Sequence, residues 1–181
     1  AEVYLCMRVF LCRFASQHLT GFWPIILTEM VRILAQAKVD LPADKSDRLQ
    51  LVFSVVKLAD FLITLQTDDF QIHQWLLITD TPDATNPASS YMADSLLDCL
   101  AKFVSECQRE LVFDANDSLE RAQQRRPLLQ MSSVATISTL QPFFATASRA
   151  FYQCDFRATL DWDNINACLL HDLFEPIHTN T

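Results

Sequence analysis

The densest basic spot in an otherwise acidic chain is the stretch RAQQRR, which supplies Arg121, Arg125 and Arg126. On a helix, Arg121 and Arg125 would share one face at i, i+4 spacing. Guanidinium forks match phosphate and carboxylate geometry. The chemistry on offer is therefore anion binding, of a phosphoinositide headgroup or an acidic partner peptide. The plainer alternative is a solvated connector, which is what a run of charge usually is.

The other reactive side chains are scattered. His18, His73, His171 and His178 do not pair, because Pro176 interrupts the helix between the last two. His18 lies in a break between helices, where its ring would bond the free carbonyls of the first helix. Asp155, Asp161, Asp163 and Asp172 read as caps and solvated faces before they read as a general acid/base pair. No nucleophile elbow, phosphate loop, zinc-binding H-E-x-x-H or dinucleotide fingerprint is present in the sequence. The sequence therefore calls for no metal, no cofactor and no catalytic residue. The six cysteines contain no C-x-x-C pair. Cys99 and Cys107 would sit roughly 12 Å apart on one helix, too far for a disulfide. Reduced cysteines filling apolar stripes, in a cytosolic setting, are the expectation.

Composition then bounds the scaffold. A length of 181 residues suits one domain, 1–181. One glycine in the whole chain, against a usual share of about 7%, disfavours sandwiches, barrels and phosphate-cradling loops. Half the residues are hydrophobic, so the chain can bury a core. The net charge of −8 argues against a nucleic-acid surface and against adhesion to anionic lipid by bulk charge. The start at Ala1, inside an apolar run interrupted by Arg8 and Arg13, reads as a piece of a longer protein rather than a signal peptide.

Hydrophobic periodicity predicts an all-α fold of six to seven helices, arranged as layered hairpins, HEAT-like or as an orthogonal bundle. Glu2 to Phe14 is apolar nearly all round. Thr20 is the expected cap of the next helix, with Gly21, Phe22, Trp23 and Pro24 in its first turn and Gly21 allowing a tight corner. Trp23 should be buried there. A helix over about 46–66 is apolar except for a narrow stripe of Asp47, Gln50, Ser54, Lys57 and Asp60, so it should be central. Residues 68–78 are a short helix or an extended pass, with the helix favoured. Further helices are predicted over about 90–111, 128–138, 141–153 and 162–174, the last capped by Asp161. Residues 114–127 are the candidate mobile connector. TGFWPIIL at Thr20 has a loose echo in STLQPFFA at Ser138, which two repeats or two similar helix starts would both produce.

The stretch RVFLCRFASQHLTGFWPIILTEMVRIL, Arg8 to Leu34, resembles a signature stretch of the C-terminal region of the Dopey family. Arg13, Ser16, Gln17, His18, Leu19, Thr20, Trp23, Pro24, Thr28 and Glu29 match it. FQIHQWLLI resembles a second stretch through Phe70, Gln71 and Trp75, and LQPFFATASRAF a third through Leu140, Pro142, Phe143, Phe144 and Phe151. Phe22 stands where the family usually has Leu, and the helix near Lys102 lacks the dense basic run of some relatives. The resemblance implies a structural corner at Arg13, His18, Thr20, Trp23, Pro24 and Glu29. It also implies a cytoplasmic scaffold of endosome–Golgi traffic, peripheral on those membranes, that works with an Arf-exchange-factor-like partner. That family's C-terminal region is associated with phosphatidylinositol 4-phosphate and with kinesin light chains.

Three classes of function follow. The first is a non-enzymatic interaction module. The second is a homo-oligomerisation domain in which apolar helix faces pair with a second copy. The third is an uncharacterised hydrolase, which would need two of the scattered acids and histidines to converge in a pocket.

Overall fold

The computed structural model describes residues 2–74, 77–78, 95–107, 120–121, 123–153 and 158–174. Among them are seven α-helices and no strand, the all-α fold that the sequence predicts. The helices are α1 (Glu2–Arg13), α2 (Trp23–Val39), α3 (Asp47–Leu65), α4 (Asp68–His73), α5 (Leu96–Cys107), α6 (Gln141–Gln153) and α7 (Trp162–Phe174).

α3 is the hub. Ser46 caps it by accepting the Leu49 N–H at 3.1 Å. Gln66 ends it in a left-handed conformation, φ 48°, with its N–H on the Leu62 carbonyl. Every residue from Val55 to Leu65 is buried. α1, α2 and α6 all pack on it. α2 and α3 form a hairpin whose short loop is tied by Arg48, which donates to the Gln36 and Asp40 carbonyls. The other main pairings join helices that are distant in the chain: α5 with α6, α2 with α5, and α1 with α7. α5 turns Leu97, Leu100 and Val104 to the core and is capped by Ser95, which accepts the Asp98 N–H.

The corner between α1 and α2 differs from the sequence expectation. Two 3₁₀ turns, Ser16–His18 and Thr20–Phe22, carry the chain round, and α2 starts at Trp23 with Pro24 in its first turn. Thr20 is therefore not the cap of α2. Gly21 has no positive φ, and a Cβ placed on it meets nothing within 4 Å. The turn does not require a glycine. Two successive 3₁₀ turns spread the reversal over residues that any side chain can occupy.

Leu128 to Ser138 is also not a helix; only Ile137–Leu140 forms a 3₁₀ turn before α6. Instead, residues 125–135 form an extended strap that runs antiparallel along α3. At one end Arg125 donates to the carbonyls of Thr64 and Leu65, at 3.3 and 3.0 Å. In the middle, the N–H groups of Leu128 and Leu129 donate to the two carboxylate oxygens of Asp60, at 3.0 and 2.8 Å. Further on, Gln50 donates to the Val134 carbonyl, and the Lys45 N–H to that of Ala135. Leu129 and Val134 are buried in the core beside it. The polar stripe of α3 thus supplies the hydrogen bonds that a buried non-helical backbone must find. Within 68–78, Asp68–His73 form the short helix α4 and Leu77 lies in a turn with its N–H on the Gln74 carbonyl, while 75 and 76 lie outside the described residues.

Candidate functional site

The strongest concentration of charge in the interior joins α1, α3 and α7. Arg8 of α1 and Lys57 of α3 both pair with the Asp172 carboxylate of α7, and all three side chains are nearly fully buried. Arg8 also lies over the Phe61 ring, 5.4 Å from its centroid, and Lys57 over Phe53 at 5.2 Å. Burial pulls the Lys57 ammonium below its ordinary value, and its bond to Asp172 opposes that. Asp60, one turn along α3, is pushed up to about 6 by burial, against the two strap N–H bonds and the nearby Lys57 and Arg8. Cys168 of α7 is raised by burial and by Asp60, which keeps it a protonated, poorly nucleophilic thiol. This cluster locks three helices together.

Sequence reasoning missed the cluster. Asp172, expected on a solvated face, is buried because both cations converge on it. The available signals were Arg8 in an apolar helix and the Lys57/Asp60 pair at the far end of the polar stripe of an otherwise apolar helix. Asp161 does cap α7, accepting the Asn164 N–H at 3.0 Å, and Asp163 lies in the first turn. Asp155 lies outside the described residues.

The corner residues point in different directions. Arg13 donates to Asn166 of α7 at 3.1 Å. The Thr20 hydroxyl donates to Asp69 of α4 at 3.5 Å. Trp23 is 2% exposed, and its indole N–H is buried without a partner. Pro24 accepts the Thr28 hydroxyl, and Glu29 pairs with Arg32 on the surface. His18 is exposed; among the described residues its ring bonds no helix carbonyl, contrary to the sequence expectation. Arg13 thus ties α1 to α7 and Thr20 ties the corner to α4, while Pro24 and Glu29 bond within α2.

The three arginines do not form one helical face. Arg125 has a left-handed backbone, φ 49°, so it cannot sit one turn beyond Arg121 on a continuous helix. Its guanidinium is engaged by three carbonyls: Thr64, Leu65 and Ala158. Arg126 pairs with Asp161 at 2.6 Å. The Asn164 N–H first, and then Arg126, hold the Asp161 carboxyl below its usual range. Arg121 is partly exposed in the short helical piece before the strap. Of the candidate connector 114–127, residues 114–119 and 122 lie outside the described residues, and 125–127 are pinned to the fold.

Among the described residues, no group of three His, Cys, Asp or Glu side chains could hold a metal ion, and no helix is long and apolar enough to cross a membrane. Cys6 is exposed and Cys12, Cys99 and Cys168 are partly buried, so these four fill the core less than expected. Several large apolar side chains are also exposed. α7 exposes Trp162, Leu170, Leu173 and Phe174, the last at 78%. Around α1 and the corner, Phe10, Phe14, Phe22 and Ile25 are also exposed.

The fold and its cluster define an all-α domain with a buried charge cluster between three helices and large apolar side chains exposed on α1 and α7. Its sequence matches the family described as DOP1 C-terminal over residues 1–156, and the chain belongs to that family. It is 25% identical to Protein DOP1B of Xenopus laevis over 183 residues, covering 83% of this chain and 8% of that protein. It is 32% identical to Protein dop1 of Emericella nidulans over 101 residues, 54% of this chain and 5% of that protein. It is 30% identical to Protein pad-1 of Caenorhabditis elegans over 119 residues, 59% of this chain and 5% of that protein. The chain thus spans less than a tenth of the length of these relatives. No solved structure matches it. The Dopey resemblance read from the corner motif is this same family.

Proposed function

We propose that this chain is a non-enzymatic interaction module of a membrane-traffic scaffold, acting in endosome-to-Golgi transport and docking a protein partner through α7. The observation that carries this reading is the exposed ridge of Leu170, Leu173 and Phe174. Large apolar side chains at i, i+3 and i+4 on a bare helix face are the pattern of helix-mediated recognition. A kinesin light chain is the partner to test first, and an Arf-exchange-factor-like protein the second. Contact with a phosphatidylinositol 4-phosphate membrane has less support, because Arg125 and Arg126 already bond the fold.

The test measures binding of the chain to purified kinesin light chain, with and without Leu170→Glu and Phe174→Glu. Both positions are exposed, so the variant should keep its helical circular dichroism and lose binding at least tenfold. Equal binding by both forms, or none by wild type, overturns docking of this partner through α7. In parallel, the chain and Arg121→Glu are floated with vesicles containing phosphatidylinositol 4-phosphate. Flotation that Arg121→Glu abolishes would move the function to the lipid surface.

A further inference from the structure

α7 lies against the rest of the fold as a bound peptide lies on its receptor. Of its 13 residues only Ile165 and Leu169 are buried in the apolar core, and it packs chiefly on α1. Polar groups add the other ties. Asp172 gives one carboxylate oxygen to Arg8 of α1 and the other to Lys57 of α3, and Arg13 donates to Asn166. The pairs Arg8–Asp172 and Arg13–Asn166 set α7 antiparallel to α1. Arg8 and Lys57 also lie over the Phe61 and Phe53 rings of α3. The seat of α7 is therefore an apolar groove on α1 and α3 with two buried cations in its floor. α7 does not use that seat fully, because the Arg8 Nε–H is buried without a partner even with Asp172 in place. The walls of the groove, α1 and α3, lie in the stretch 1–156 that matches the family, and α7 starts beyond it at Trp162.

We propose that this groove is a helix-docking site that α7 fills in cis, and that a partner helix carrying apolar residues at the spacing of Ile165 and Leu169 and a carboxylate at that of Asp172 takes the place of α7. Few apolar side chains hold α7 down, so it can separate from α1 and α3 while those helices stay folded. The ion cluster adds selectivity more than strength, because Asp172 leaves with α7 and regains its hydration, which offsets the attraction it loses. A replacement helix without a carboxylate would cover both cations and leave them unpaired, which is far more costly than the pair is favourable. The groove thus admits an acidic amphipathic helix and rejects a plainly apolar one. Ile165, Leu169 and Asp172 point inward and are distinct from the exposed ridge of Leu170, Leu173 and Phe174, so this inference does not rest on docking through that ridge.

The test uses the full chain and, as probe, a fluorescent peptide of residues 160–174. In Leu169→Asp, which buries a charge unless its own α7 leaves the groove, the peptide should bind about tenfold or more tightly than to wild type, where α7 competes in cis. Asp172→Asn in the peptide should weaken that binding by about tenfold or more. In wild type, amide hydrogen exchange should show roughly tenfold or greater loss of protection at Ile165 and Leu169 relative to Leu58 and Leu62 of α3, because α7 opens on its own. No peptide binding to Leu169→Asp, equal binding of the two peptides, or α7 amides that exchange in step with those of α3 would overturn the proposal. If Leu169→Asp fails to fold, the wild-type exchange pattern decides alone: separate opening of α7 supports the proposal and concerted opening overturns it.

Discussion

Thr28 and Thr146 make the same bond in two different helices. Each stands four residues after a first-turn proline and donates its hydroxyl to that proline's carbonyl, at 2.6 Å in α2 and 2.8 Å in α6. Each helix also follows a 3₁₀ turn. The echo between TGFWPIIL and STLQPFFA is therefore a shared way of starting a helix. The carbonyl lies inside the helix, where a backbone N–H serves it as well. Thr146→Val should change stability by less than about 1 kcal/mol in urea denaturation, although Thr146 is buried.

Asp172→Ala should be far more costly. It leaves Arg8 and Lys57 buried without their shared anion, and removing one member of such a cluster costs about 3–5 kcal/mol. Urea unfolding should show the loss.

Global stability should carry an Asp60 signature. The folded carboxyl sits near 6, above its ordinary 3.8. Between those values the native state binds the extra proton, so this group's contribution is present below about pH 4 and is lost as pH rises through about 6. The full effect is at most about 3 kcal/mol. Chemical denaturation of wild type and Asp60→Asn at pH 4, 5, 6 and 7 isolates it as the difference between the two curves.

Trp23 fills the core without using its N–H. Trp23→Ala should cost about 3–5 kcal/mol by leaving a cavity. Trp23→Phe should cost less than half of that, because no hydrogen bond is lost. A denaturation midpoint for each variant settles the order.

Gly21→Ala should be tolerated. The site has open space and ordinary backbone, so the variant gains from a less flexible unfolded chain, by about 0.4–1 kcal/mol. A lowered melting temperature would show that the corner needs its glycine after all.

The sequence alone determined the local features. Gln141–Gln153 and Trp162–Phe174 are found where periodicity, Pro142 and the Asp161 cap place them, and Ser46 and Gln66 bracket α3 as expected. Those signals act within a turn or two of helix, so neighbouring residues are enough to read them. The scarcity of glycine gave the all-α class, and the corner motif gave the family.

Tertiary structure decided the rest. Residues 128–135 have enough apolar character to look helical, but Asp60, Gln50 and Arg125 offer their backbone better partners than a helix of its own, and the segment lies extended. Arg8, Lys57 and Asp172 are charged residues whose burial depends on three helix faces meeting across 164 and 115 positions of chain. Arg125 and Arg126 looked like ligand donors until the fold supplied carbonyls and a carboxylate within their reach. Local propensity fixes where a helix starts and stops; which polar group meets which is set only when distant faces pack and each buried charge must find a partner.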